Sequence, residues 1–165
     1  MVPSLLSSYL QTVGHQFSDV ILECEGIKFS CHKVILAANS QFFSSLFSEN
    51  FTDGNDGTPP VYSLPGVTKG GLEQIINFIY CRPMKLNMST VFSVVKDADF
   101  LDLEEVTNEC SDFMLSNLNV TNCFSVYESS RQFHLSKLRW QVEEFIFNNF
   151  CQMGGVKEFL SLRSL

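Results

Sequence analysis

Hydrophobic and polar positions change rhythm several times along this chain, and each change marks an element. The runs Asp19-Val20-Ile21-Leu22 and Ile27-Lys28-Phe29-Ser30 are short and rich in β-branched and aromatic residues, with Glu25-Gly26 between them, which predicts two strands paired as a hairpin. The rhythm then turns helical. His32 to Asn39 carries Val34, Ile35 and Ala38, and Gln41 to Phe47 sets Phe42, Phe43, Leu46 and Phe47 on one helical face. Each of these elements is too short to be stable alone, so hairpin and helices are expected to fold as one packed α/β core.

A polar break, ENFTDGNDGTPP from Glu49 to Pro60, reads as an exposed loop. Beyond it Leu72, Ile75, Ile76 and Ile79 recur at helical spacing, and Pro83 stops that helix, after which a turn and a short strand over Met84 to Leu86 are expected. A helix beginning near Ser89 carries Val91, Val94, Val95 and Ala98 inside. Leu101, Leu103, Val106, Cys110, Phe113 and Met114 supply the face of the next. Two more amphipathic helices are expected, one with Cys123, Phe124, Val126, Tyr127 and Phe133, the other with Trp140, Val142, Phe145, Ile146 and Phe150. Asn50, Asn87 and Asn119 match a glycosylation pattern, but Asn87 and Asn119 each precede Ser or Thr near a helix start, where Asn is a good N-cap.

Composition narrows the function. A chain of 165 residues can bury one good core with a small second helical unit. A formal charge of -7 and a pI near 4.8 argue against a nucleic-acid surface, which needs clustered Lys and Arg. The N-terminal stretch has no basic region followed by an apolar one, and no window approaches the roughly 20 apolar residues of a membrane span. A cytoplasmic protein is expected, with the nucleus as a second compartment. Cysteines at 24, 31, 81, 110, 123 and 151 are widely spaced, which suggests neither a zinc knuckle nor a disulfide framework. They read as reduced apolar fillers. Cys31, beside His32-Lys33, has basic neighbours and is the one candidate for a redox or electrophile sensor.

Catalysis finds no support in the sequence. His15, His32 and His134 are isolated, and no carboxylate pair sits beside a nucleophile. Gly66-Val67-Thr68-Lys69-Gly70 has the spacing of a nucleophile elbow, but Pro65 spoils the preceding strand, and Lys69-Gly70-Gly71 has the wrong order for a phosphate loop. No cofactor and no metal are expected, and the chain is not expected to be an enzyme.

The order Ser18-Asp19-Val20, a strand, a Gly turn, Phe29, then His32-Lys33, Leu36-Ala37 and Ser40-x-x-Phe43 closely resembles the BTB/POZ fold found at the front of kelch-like proteins. The resemblance continues through an edge strand at Val61 to Leu64, a helix from Val67 to Tyr80, and Ala98-Asp99-Phe100-Leu101, then through Cys110 and Phe113 to Leu118. It implies an α+β class, a helical cluster flanked by a short three-stranded sheet. Residues 1–118 resemble a complete BTB/POZ domain, and residues 119–165 resemble the first helices of the all-α BACK domain. His32 is implied to be structural, at the start of its helix. The propeller of roughly 50-residue kelch repeats is not seen, and Leu165 falls inside what would be the third BACK helix. The chain thus reads as a fragment, a short isoform or a small protein acting through BTB alone.

What the resemblance implies is protein binding. Such domains dimerise through an N-terminal helix, and Pro3 to Val13, with Leu5, Leu6, Tyr9, Leu10 and Val13, has the apolar stripe for it. The economical partner is a second copy or a related BTB protein; the alternative is a helix folded back on its own domain. Asp19 and Lys33 match a charged pocket near the dimer interface, where a buried pair would be costly to break. The other implied partner is the N-terminal domain of cullin-3, bound through a hydrophobic-x-Glu motif after the second core helix. Phe51-Thr52-Asp53 stands there, with Asp53 one methylene short; Phe51 otherwise reads as a loop residue over the core. Two readings follow: a homodimerising substrate adaptor of a cullin-3 RING ubiquitin ligase without a kelch propeller, or a cullin-independent BTB scaffold for transcriptional or cytoskeletal partners. A dominant-negative short form is a further alternative.

Overall fold

The computed structural model describes residues 17–49 and 58–149. Strands β1 (Val20–Cys24) and β2 (Ile27–Cys31) form the expected antiparallel hairpin, with Val20 opposite Cys31 and Leu22 opposite Phe29. Glu25 and Gly26 both take positive φ, 49° and 75°, the backbone of a type I′ turn, whose twist matches the strands it joins. Along β1 the side chains of Val20, Leu22 and Cys24 are buried while those of Ile21 and Glu23 are only half-covered, the alternation of a sheet with one face on a core. Strand β3 (Val61–Ser63) adds to the other side of β1 in parallel, giving the order β2-β1-β3.

Among the described residues, seven helices accompany this sheet. Helix α1 (Lys33–Asn39) is seven residues long and α2 (Gln41–Glu49) nine. Ser40 separates them and explains why the chain restarts a helix there. Its Oγ accepts the amide of Phe43 at 3.1 Å, capping α2, and donates at 2.6 Å to the carbonyl of Leu101, so one buried hydroxyl satisfies two distant backbone groups. Helix α3 (Lys69–Ile79) begins two residues inside the expected span because Thr68 is its cap, with Oγ1 accepting from the amide of Gly71 at 3.0 Å. Leu72, Ile75 and Ile79 turn inward as their spacing requires.

Helix α4 (Val91–Phe100) packs along α3 and buries Val91, Val94, Val95 and Ala98. Asp97 is buried with them. Its Oδ2 accepts from the amide and hydroxyl of Thr68, at 2.9 and 2.6 Å, and Oδ1 has no hydrogen-bond partner among the described residues. Gly71 is required opposite it, since any Cβ there would overlap Asp97 Oδ2. Helix α5 (Glu104–Ser116) follows, with Glu104 and Glu105 in its first turn, where carboxylates favour the helix dipole. Asn87 and Asn119 act as the expected caps, one turn early: each Oδ1 accepts two amides of the following turn, those of Ser89 and Thr90 and those of Thr121 and Asn122.

One expected element does not form. Met84 to Leu86 is not a strand, because Pro83 and the turn at Cys81 send the chain past α3, where Gln74 Oε1 accepts the amide of Lys85 at 2.6 Å. That side chain takes the place of a neighbouring strand.

Packing divides the chain into two compact units, Met1–Cys110 and Ser111–Leu165, with the division inside α5. In the second unit α6 (Cys123–Gln132) and α7 (Ser136–Asn149) form a helical hairpin that buries Cys123 and Val126 from one helix and Leu138, Val142 and Ile146 from the other. The sequence places Trp140 with Val142 and Ile146 on the apolar face; the structure turns Trp140 outward, since it lies on the opposite side of α7 from Leu138.

Candidate protein-interaction surface

Helix α1 buries a single residue, Leu36, so burial alone does not hold it. Polar contacts at its first turn do. Asp19 Oδ1 accepts the amide of Lys33 at 2.7 Å, supplying from the residue just ahead of β1 the cap that the His32 side chain does not make. The amide of His32 donates to the Tyr80 hydroxyl at 3.0 Å, and its Nδ1 lies 2.7 Å from the same oxygen. Tyr80 is itself buried, with the Arg82 guanidinium 5.8 Å from its ring centroid, and burial pushes its hydroxyl pKa well up. Asp19 and Lys33 are thus brought together as the sequence suggests, but through the backbone of Lys33. No ion pair joins their side chains, and Asp19 is exposed, so the protomer contains no buried charge pair here.

Cys31 closes this cluster from below. Burial pushes its thiol up to about 12, against a weaker opposing hydrogen bond from Tyr80. The sensor reading fails on that environment: His32 is turned to Tyr80, and a thiol so raised is not a nucleophile at neutral pH. Cys110 is likewise pushed to about 12 by burial, and Cys24 is raised. Filler is the role the structure gives these three.

Around this fixed start the surface is apolar. Val34 is 73% exposed and Phe17, just ahead of Asp19, is 80% exposed. The sequence reading has this helix carry Val34, Ile35 and Ala38 without choosing a face; in the structure Leu36 points in and Val34 out. A seven-residue helix has too few turns for periodicity to choose between faces. A second apolar feature is a row of rings. Phe100, 51% exposed, lies 5.5 Å from Phe42, which meets Phe43, then Phe47, then Tyr62 on β3, at 5.5, 5.8 and 5.4 Å. The row joins a surface aromatic to the core, so Phe100 stands on a rigid base. Its spacing puts Phe100 on the side of α4 opposite Val91, Val94, Val95 and Ala98.

Leu5, Leu6, Tyr9, Leu10, Val13, Phe51 and Asp53 lie outside the described residues. The segment that resembles an elbow or phosphate loop is described, and its chemistry is structural. The Thr68 hydroxyl is committed to Asp97 and Gly71, and the amide of Lys69 donates to Glu25 Oε2 at 2.9 Å, tying α3 to the hairpin turn. A cleft of about 360 Å³ beside it is lined by Glu23, Glu25, Gly66 and Lys96, with Lys96 Nζ donating to the carbonyl of Gly66. Among the described residues no group of acidic, His and Cys side chains is arranged to hold a metal ion, and no helix is long and apolar enough to cross a membrane.

Comparison with known proteins agrees with this geometry. The BTB/POZ domain family matches residues 9–118. Kelch-like protein 26 of Homo sapiens is 32% identical over 165 residues, covering 97% of this chain and 26% of that protein. Its counterpart in Mus musculus is 33% identical over 147 residues, covering 89% and 24%. The chain therefore spans about a quarter of the length of the curated relatives it matches. Among solved structures, the BTB domain of human gigaxonin superposes with a TM-score of 0.58 at 25% identity, over 67% of this chain and 88% of that one. A three-stranded sheet with its clustered helices, a capped but sparsely buried α1 and a family match across most of the first compact unit lead to one conclusion: the chain belongs to the BTB/POZ family and is similar to the protein-interaction domains of kelch-like proteins.

Proposed function

We propose that this protein is a homodimerising interaction module that serves as the adaptor component of a cullin-3 RING ubiquitin ligase. The observation that carries the dimer is α1: its start is held by Asp19 and Tyr80 while Val34 stays uncovered, as does Phe17, two residues ahead of Asp19. A second copy covers that surface, with Leu5, Leu6, Tyr9, Leu10 and Val13 of the N-terminal segment supplying the rest of an isologous interface. Asp19 and Lys33 lie at its edge, Asp19 as a cap and Lys33 with its ammonium available to the partner chain. Cullin-3 docks through Phe51 as the apolar anchor and Asp53 as the acceptor, in the segment that follows α2 in sequence. Residues 1–118 act as the BTB/POZ domain and residues 119–165 as the opening helices of a BACK domain, a reading supported by the α6–α7 hairpin. The site of action is the cytoplasm or nucleus.

Light scattering on the chain and on Val34→Glu, with calorimetry against the cullin-3 N-terminal domain for the chain and for a Phe51→Ala, Asp53→Ala variant, tests both halves. A dimer that becomes a folded monomer in Val34→Glu, and that binds cullin-3 only with Phe51 and Asp53 intact, is expected. A monomeric parent chain removes the dimer. A folded dimer without binding heat leaves the second reading, a cullin-independent scaffold, which the shorter carboxylate of Asp53 favours.

A further inference from the structure

Helix α7 carries apolar residues on two sides. Leu138, Val142 and Ile146 are buried within the α6–α7 hairpin, while Trp140 and Phe147, on the opposite side, are 64% and 79% exposed. Lys137 and Glu144 are exposed along that same side. Lys137, Trp140, Glu144 and Phe147 recur at spacings of three, four and three, the spacing by which one helix meets another along a seam. The two charges are unspent. Glu143 is drawn to Arg139, 3.8 Å away, whereas Lys137 and Glu144 join no ion pair among the described residues.

A stripe ordered cation, aromatic, anion, aromatic complements itself only when reversed. Two copies paired in parallel set Lys137 against Lys137 and Glu144 against Glu144. An antiparallel two-fold pairing, centred midway between Trp140 and Glu144, sets unlike groups together. Trp140 then lies beside the partner's Glu144, whose carboxylate can accept the indole N–H. Lys137 lies beside the partner's Phe147, with its ammonium over a ring and within one turn of that same Glu144. By symmetry each contact is made twice. We propose that this side of α7 is a self-association surface, covered by the same stripe of a second copy running antiparallel. A seam of four side chains per copy is small beside the roughly 1,000 Å² of a stable interface, so the contact dissolves on dilution. It does not require the α1 dimer. A chain using both isologous faces links dimers into larger assemblies, a consequence that rests on the dimer proposed above.

Trp140 is the single tryptophan of the chain, so its emission reports this contact directly. Emission maximum, acrylamide quenching and light-scattering mass are followed over a concentration series for the chain, for Lys137→Glu, for Glu144→Lys and for the double reversal, with far-ultraviolet circular dichroism on each. The series is repeated in a Val34→Glu background. The expected result is a Trp140 protected at high concentration and exposed on dilution, as the mass falls. Each single reversal moves that transition to about tenfold higher concentration or beyond, and the double reversal returns it. Val34→Glu lowers the mass and leaves the Trp140 transition in place. Quenching independent of concentration overturns the proposal, whether Trp140 is exposed throughout or covered throughout by its own chain. So do single reversals that behave as the parent, a double reversal that does not recover, or a Trp140 transition that vanishes in Val34→Glu. A mass unchanged by Val34→Glu counts against the α1 dimer alone, because the charge reversals still judge α7.

Discussion

Helix α4 buries Val91, Val94, Val95, Asp97 and Ala98 in ten residues, whereas α1, in the same compact unit, buries only Leu36 in seven. The first is fixed by packing. Helix α1 is fixed by hydrogen bonds at one end, from Asp19 to the amide of Lys33 and from the amide of His32 to Tyr80. The contrast separates holding a helix in place from covering it. A helix secured by packing spends most of its apolar residues inside, whereas one secured at its first turn can keep Val34 in solvent and remain ready for a partner.

The strongest way to break the packed side is Gly71→Ala. The added Cβ would meet Asp97 Oδ2, and α4 would have to move away from α3 or give up both Thr68 hydrogen bonds to a buried carboxylate. A loss of about 3 kcal/mol is expected in urea unfolding. Ser40→Ala acts where α2 meets the turn after α4, leaving the amide of Phe43 uncapped and the carbonyl of Leu101 unpaired. A loss of about 2 kcal/mol by the same measurement is expected. Asp19→Ala tests the capped side, and about 1 kcal/mol should be lost, with faster amide exchange confined to the first turn of α1. The smallest effect sharpens the comparison most. Val34→Ala should change the unfolding free energy of the protomer by less than about 0.5 kcal/mol while weakening self-association, since its side chain touches solvent and not core. A loss of protomer stability as large as that of Ser40→Ala would show that α1 is packed after all.

Much of the fold was legible because local chemistry was decisive. Glu25-Gly26 admits the φ values of a tight hairpin turn, Asn87 and Asn119 stand where caps are needed, and Leu72, Ile75 and Ile79 make an unambiguous stripe. Where several long-range options competed, residue type was silent. Met84 to Leu86 had the composition of a strand, but its backbone partner proved to be the side chain of Gln74. Cys31 had basic neighbours in sequence, yet burial governs its thiol. Asp97 sits among apolar residues of α4 with no local sign that Thr68, twenty-nine residues earlier, would bind it. For the interaction surface, Asp19 and Lys33 were found from the sequence and their contact was not. Phe17 and Val34 were invisible as surface residues, because an apolar residue outside a long periodic helix looks the same in sequence whether a core covers it or a partner does.

By itself, then, the sequence determined the hairpin, the order of the helices and the caps at Asn87 and Asn119, which depend on residues within a few positions of one another, and, through its pattern along residues 9–118, membership of the BTB/POZ family. The tertiary structure alone decided which apolar residues are left uncovered and which polar groups are spent inside. Those outcomes depend on what each side chain meets across distances such as the 61 residues from Ser40 to Leu101, or the 48 from His32 to Tyr80, where the pattern of neighbouring residues carries no information.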